Sequence, residues 1–173
     1  MMAKYTCTCC GKEHDEWPAL GFAAPLAYAM LSEEDRANED ICELTTDLCV
    51  VRYPNLDRVD YYVRAVLLQK VIDHCDALEY GVWTSLSEKS FMDYYEHFEN
   101  QEYEAGYFGW LGNALPDYEF NVAIPLDVIY SGKGQRPELV PHENVDHPFI
   151  KDYYNGITKA EAERRIAAML ANM

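Results

Sequence analysis

No stretch of this 173-residue chain approaches the ~20 consecutive apolar residues that a membrane-spanning helix requires. Residues 1–10 hold no apolar run that would serve as the core of a secretory signal, so a cytoplasmic protein is expected. Positive charge is scarce as well: 14 Lys and Arg stand against 30 Asp and Glu, a formal net charge of −16. Such a surface repels phosphate backbones and anionic bilayers, which argues against direct nucleic-acid binding and membrane adsorption. Its natural complement is a basic protein partner, while the same charge also serves plain solubility. Internal repeats and low-complexity tracts are absent too. Ser131-Gly132-Lys133-Gly134 lacks the G-x-x-x-x-G-K-[ST] spacing of a phosphate loop and reads as a hairpin turn.

What the chain does have is cysteine: Cys7, Cys9, Cys10, Cys42, Cys49 and Cys75. In a reducing compartment these are thiols or metal ligands rather than disulfides. Cys7-x-x-Cys10-Gly11 has the spacing of a knuckle, in which a tight turn aims two sulfurs at one ion and backbone amides donate to the thiolates. A closed tetrahedral zinc site needs two further ligands, and the candidates are His14 together with Cys42 or Cys49; Cys9 is an alternative to either knuckle cysteine. A redox C-x-x-C belongs at a helix start after a strand, whereas this one precedes Gly11 and Pro18. Asp73-His74-Cys75-Asp76 reads as a loop. Neighbours in an extended chain point in opposite directions, so no thiolate–imidazole pair is expected from His74 and Cys75.

The most legible stretch is residues 80–98, a buried strand turning straight into an amphipathic helix. Phe91, Tyr94, Tyr95 and Phe98 recur at i, i+3, i+4 and i+7 and form one aromatic face. Ser87 can cap this helix, with Ser85 and Glu88 as a competing capping box. Thr158 and Glu161 make a second box before a helix whose expected buried face is Ala162, Ile166, Met169 and Leu170. A short helix follows Ser32. Residues 42–53 and 60–68 read as an antiparallel pair of strands, with Arg52 and Arg64 solvated or paired. Residues 106–113 read as a glycine-rich segment wedged against the core, and 120–130 as a strand interrupted by Pro125.

Several segments together resemble one bacterial family of unknown function, DUF2199. They are Cys7-x-x-Cys10-Gly11-x-x-His14, Asp47-Leu48-Cys49, Tyr62-Val63-Arg64, Gly81-Val82-Trp83-Thr84-Ser85-Leu86-Ser87, Phe108-Gly109-Trp110-Leu111, Leu115-Pro116, Arg136-Pro137, His147-Pro148 and Gly156-Ile157-Thr158. The resemblance implies a bacterial or phage cytosolic protein with an N-terminal cysteine knuckle, and it brings no established activity. It favours Cys49 over Cys42 as the fourth ligand, giving an expected metal set of Cys7, Cys10, His14 and Cys49; Cys42 and Cys9 look like additions particular to this sequence.

The fold expected is α+β in a single domain over 1–173: a knuckle over 1–17 and a body over 18–173 with a mainly antiparallel sheet of about five or six strands. The 88–99 and 159–171 helices would pack on one face, with zinc tying the knuckle to the 42–50 strand. The functional reading is a non-catalytic protein-binding module of inhibitor or immunity type, with a structural zinc. The alternative is a metal-dependent hydrolase-like enzyme using the loop that holds His142, Glu143, Asp146 and His147.

Overall fold

A computed structural model describes residues 2–7 and 10–172. In chain order the strands and helices are β1 (Lys4–Thr6), β2 (Glu13–Asp15), β3 (Leu20–Gly21), α1 (Leu26–Ala29), α2 (Glu33–Arg36), β4 (Cys42–Leu44), β5 (Leu48–Tyr53), β6 (Arg58–Gln69), β7 (Leu78–Leu86), α3 (Glu88–His97), β8 (Ala105–Leu111), β9 (Pro125–Tyr130), β10 (Glu138–Pro141), α4 (Pro148–Asn155) and α5 (Lys159–Ala171). The fold is therefore α+β. The chain forms two compact units built from interleaved segments: residues 22–67 with 81–142, and residues 1–21 with 68–80 and 143–173.

The first unit is a small barrel. Strands follow the order β7-β8-β9-β10-β6, and β6 pairs back onto β7 to close the ring. The β7–β8, β8–β9 and β9–β10 ladders are antiparallel, whereas β10 and β6 run parallel with Glu138 opposite Val66. Period-two alternation sends Val63, Ala65 and Leu67 of β6 and Leu126, Val128 and Tyr130 of β9 to buried positions. Gly109 is fixed by closure: a Cβ there would collide with the Ser85 carbonyl oxygen and the Thr84 hydroxyl of the neighbouring strand. β5 and then β4 extend the sheet beyond β6. There Cys42, Cys49, Val51, Tyr62 and Trp83 form a satellite core.

Three sequence expectations change here. Residues 42–53 are two strands, because Thr45 closes a tight turn: its hydroxyl accepts from the Leu48 N–H at 3.0 Å. The strand expected over 120–130 starts only at Pro125, the position where a missing N–H does least harm to a ladder. Residues 106–113 supply β8, yet Phe108 and Trp110 are nearly half exposed, since alternate residues of a barrel strand face outward.

Asn113 ties this unit together from a buried position. Its Oδ1 accepts from the Trp83 N–H at 2.8 Å and its Nδ2 donates to the Ala24 carbonyl at 2.9 Å. Asn113→Leu leaves a buried donor and a buried acceptor without partners and is expected to cost about 2–3 kcal/mol. Urea unfolding checks this, with the midpoint falling at an unchanged m-value.

The second unit holds the antiparallel pair β1–β2, with Tyr5 opposite His14, and the helices α4 and α5. Thr158 caps α5 as expected, accepting from the Glu161 N–H at 3.2 Å. The buried face differs from the expected one: Ala162 and Ile166 are buried, Leu170 is half exposed, and Arg165 is buried in its stead.

Glu161 is hydrogen-bonded first by Arg164 and then by Arg165, which holds its carboxyl at about 2, well below the usual range. A depressed carboxylate makes the unfolded chain bind more protons, so this stabilisation is complete above pH ~4.5 and disappears as pH falls towards 2. Acid titration of melting temperature should therefore show the gap between wild type and Glu161→Gln closing across that window. A gap independent of pH would contradict the assignment.

Candidate metal centre

The second unit gathers Cys7, Cys10, His14 and Cys75 so that their ligand atoms all lie within 4.8 Å of one another. Local chemistry explains how each arrives there. Cys7 follows directly on β1, and its carbonyl accepts from the Gly11 N–H at 2.8 Å while its own N–H donates to the Lys12 carbonyl at 2.8 Å. Gly11 has φ +70, a left-handed conformation that a side chain would strain, and it turns the chain into β2. β2 then presents His14, whose Nε2 lies 3.1 Å from the Cys10 sulfur.

Cys75 comes from the loop between β6 and β7, and that loop is anchored rather than free. The Ile72 N–H donates to the Ile157 carbonyl at 2.9 Å, and the Asp73 carboxylate accepts from the Lys159 N–H at 2.6 Å. His74 turns its Nδ1 back to accept from the Cys75 N–H at 2.9 Å. The His74 ring packs 4.7 Å from His14 and 4.3 Å from Trp17, giving the imidazole of His14 an aromatic flank. Such surroundings hold a ligand in orientation and limit water access.

Of the expected ligands, Cys7, Cys10 and His14 come together, whereas Cys49 does not join them. Cys49 is fully buried in the satellite core of the barrel unit, where burial pushes its thiol up to about 12 and keeps it protonated at neutral pH. Cys42, in the same core, has its thiol raised by burial as well, and its sulfur donates to the Asp35 carbonyl at 3.4 Å. The 42–50 strand thus contributes no residue to the gathered group, whose fourth member is Cys75 of the loop between β6 and β7. Cys9 lies outside the described residues. A signal for Cys75 was present in the sequence: it is the one cysteine downstream of the knuckle set among polar loop residues, while Cys42 and Cys49 sit in β-branched, apolar stretches.

The His142–His147 loop has a different use for each residue. His142 Nε2 lies 2.8 Å from Asp127, a neighbour across the β9–β10 ladder. His147 is buried as the N-cap of α4, with Nδ1 accepting from the Phe149 N–H at 3.1 Å. Asp146 pairs with Lys151 at 3.1 Å, and Glu143 is exposed. Among the described residues, the Cys7–Cys75 set is the one group of three or more Cys, His, Asp or Glu gathered for a metal ion. Among them too, no helix is long and apolar enough to cross a membrane.

A family model described as an uncharacterized protein conserved in bacteria, DUF2199, matches residues 6–157 of the chain. The chain belongs to that family. No curated protein and no solved structure matches it.

Proposed function

We propose that this DUF2199 protein is a non-catalytic, acidic protein-binding module, of inhibitor or immunity type, whose N-terminal hairpin is clipped to the Cys75 loop by a structural zinc ion. The observation that carries the reading is the ligand set. Tetrahedral zinc with Zn–S bonds of about 2.3 Å places its sulfurs roughly 3.8 Å apart, within the spread of the four ligand atoms. Three thiolates and an imidazole fill the coordination sphere, whereas a catalytic zinc keeps one position for water. The ion would hold together two loops with little regular structure of their own.

A basic partner is favoured by the distribution of charge. Residues 22–67 and 81–142 carry 19 Asp and Glu against 7 Lys and Arg, a balance of −12 out of the chain's −16. The barrel unit is thus the face that would attract such a partner at long range. The hydrolase-like alternative draws no support from the 142–147 loop, where His142 and His147 are engaged in a cross-strand contact and a helix cap.

Affinity capture with the metal-loaded protein tests the reading. The expected result is a defined partner of basic composition, retained near 0.15 M salt and released at 1 M, where the screening length falls from about 8 to about 3 Å. Turnover of a substrate that is lost on His147→Ala would replace this reading with the hydrolytic one.

A further inference from the structure

A groove of about 410 Å³ opens in the barrel unit between the β4–β5 turn and α3, lined by Thr45, Asp47, Tyr94, Tyr95, Phe98 and Glu99 among others. Its walls do not behave as the helical pattern of α3 predicts. Phe91 and Tyr94 are buried, but Tyr95 is 59% exposed and contributes to the groove instead of the core. Tyr94 itself is fully buried, and its hydroxyl has no hydrogen-bond partner in a region where such groups are normally paired.

Three features of the groove favour a cation. Tyr95 and Phe98 supply aromatic faces, whose negative quadrupoles attract cationic groups. The groove sits at the C-terminal end of α3, where partial negative charge from the last carbonyls accumulates. Glu99 has no ion-pair partner among the described residues, whereas the other carboxylate, Asp47, is already paired with Arg136 Nε at 2.7 Å. The Thr45–Leu48 turn is pinned by its own hydrogen bonds, so the opposite wall is preformed.

We propose that this groove receives an arginine side chain of a basic protein partner, its guanidinium stacked on Tyr95 and Phe98 and bonded to Glu99. The proposal rests on the reading of the protein as a binder of basic proteins and names where one anchor residue of that partner enters. Arginine suits the site better than lysine because a planar guanidinium stacks on aromatic rings and pairs with a carboxylate through two parallel hydrogen bonds.

The test is a titration of ¹⁵N-labelled full-length protein with n-butylguanidinium, followed by amide chemical shifts. Saturable shifts are expected at Thr45, Tyr95, Phe98 and Glu99, with affinity at least about threefold above that for n-butylammonium and no saturable response to neutral n-butylurea. Glu99→Gln, an exposed substitution, should weaken binding at least about fivefold, and Tyr95→Ala should abolish it while Tyr95→Phe retains it. Absence of saturable shifts, an equal response to n-butylurea, or unchanged affinity in Glu99→Gln overturns the proposal. n-Butylammonium binding as tightly as n-butylguanidinium overturns the choice of arginine. A parallel titration with an oligo-arginine peptide near 0.15 M salt separates the two levels. Binding that maps elsewhere defeats the groove and leaves the basic-partner reading standing, whereas no binding at all defeats that reading.

Discussion

With the proposed zinc held by Cys7, Cys10, His14 and Cys75, Cys75→Ser is expected to yield metal-free protein and to lower its melting temperature on the order of 10 °C. Loss of a bound structural metal belongs to the few single-site changes that exceed about 4–5 kcal/mol, and a domain of this size shifts by roughly 2–4 °C per kcal/mol. Cys7→Ser and Cys10→Ser should do the same, because each removes one of the thiolates gathered within 4.8 Å of the others. The informative comparison is Cys49→Ser. That thiol lies in the satellite core with Val51, Tyr62 and Trp83, so its serine variant should retain one zinc per chain. The cost there should be only about 1–2 kcal/mol, from placing a hydroxyl among apolar groups. Metal analysis of the four variants alongside thermal melts reads both effects. Zinc retained in Cys75→Ser and lost in Cys49→Ser would reverse the assignment.

Arg165→Ala is expected to destabilise the protein by about 2–3 kcal/mol, from the loss of charge-assisted hydrogen bonds and of a buried apolar stem. The guanidinium is only 4% exposed, and it donates to Glu161 at 2.8 Å, to the Tyr80 hydroxyl at 3.3 Å and to Asp152 at 3.4 Å. One side chain thus joins the first turns of α5 to α4 and to the start of β7 within the same unit. Arg165→Met keeps most of the apolar stem and should lose less, because Glu161 and Asp152 are each about a third exposed and can rehydrate. Urea unfolding of the two variants separates loss of charge from loss of packing; equal, small losses in both would show that the network contributes little.

What was legible in the sequence was chiefly local. The Ser87 and Thr158 caps start α3 and α5 where the capping pattern places them, since a hydroxyl accepting an N–H three residues on needs no tertiary context. The hairpin turn at Ser131–Gly134 and the cluster of Cys7, Cys10 and His14 follow from short spacings in the same way. What escaped depends on distant pairing. Closure of the barrel rests on β10 meeting β6 in parallel, some 70 residues apart in sequence, and no local period encodes that contact. The outward turn of Phe108 and Trp110 likewise follows from their place on a closed barrel, and the inward turn of Arg165 from its partners Tyr80 and Asp152, both distant in sequence.

Cys75 escaped for a related reason. Its place beside Cys7, Cys10 and His14 is set by Asp73 and Ile72 anchoring the loop to Lys159 and Ile157, more than 80 residues on. The resemblance pointed to Cys49 because Asp47-Leu48-Cys49 is a compact motif. In the fold, Asp47 pairs with Arg136 and Cys49 fills the satellite core, which gives each of them a structural occupation.

The most direct test of the account is X-ray absorption at the zinc edge on purified protein kept under reducing conditions. The expected result is one zinc per chain with about three sulfur neighbours near 2.3 Å and one nitrogen near 2.0–2.1 Å, and no ordered water bound to the metal. A sphere with two or fewer sulfurs, or with an oxygen in the fourth position, would contradict a closed structural site made by Cys7, Cys10, His14 and Cys75 and would reopen the catalytic reading.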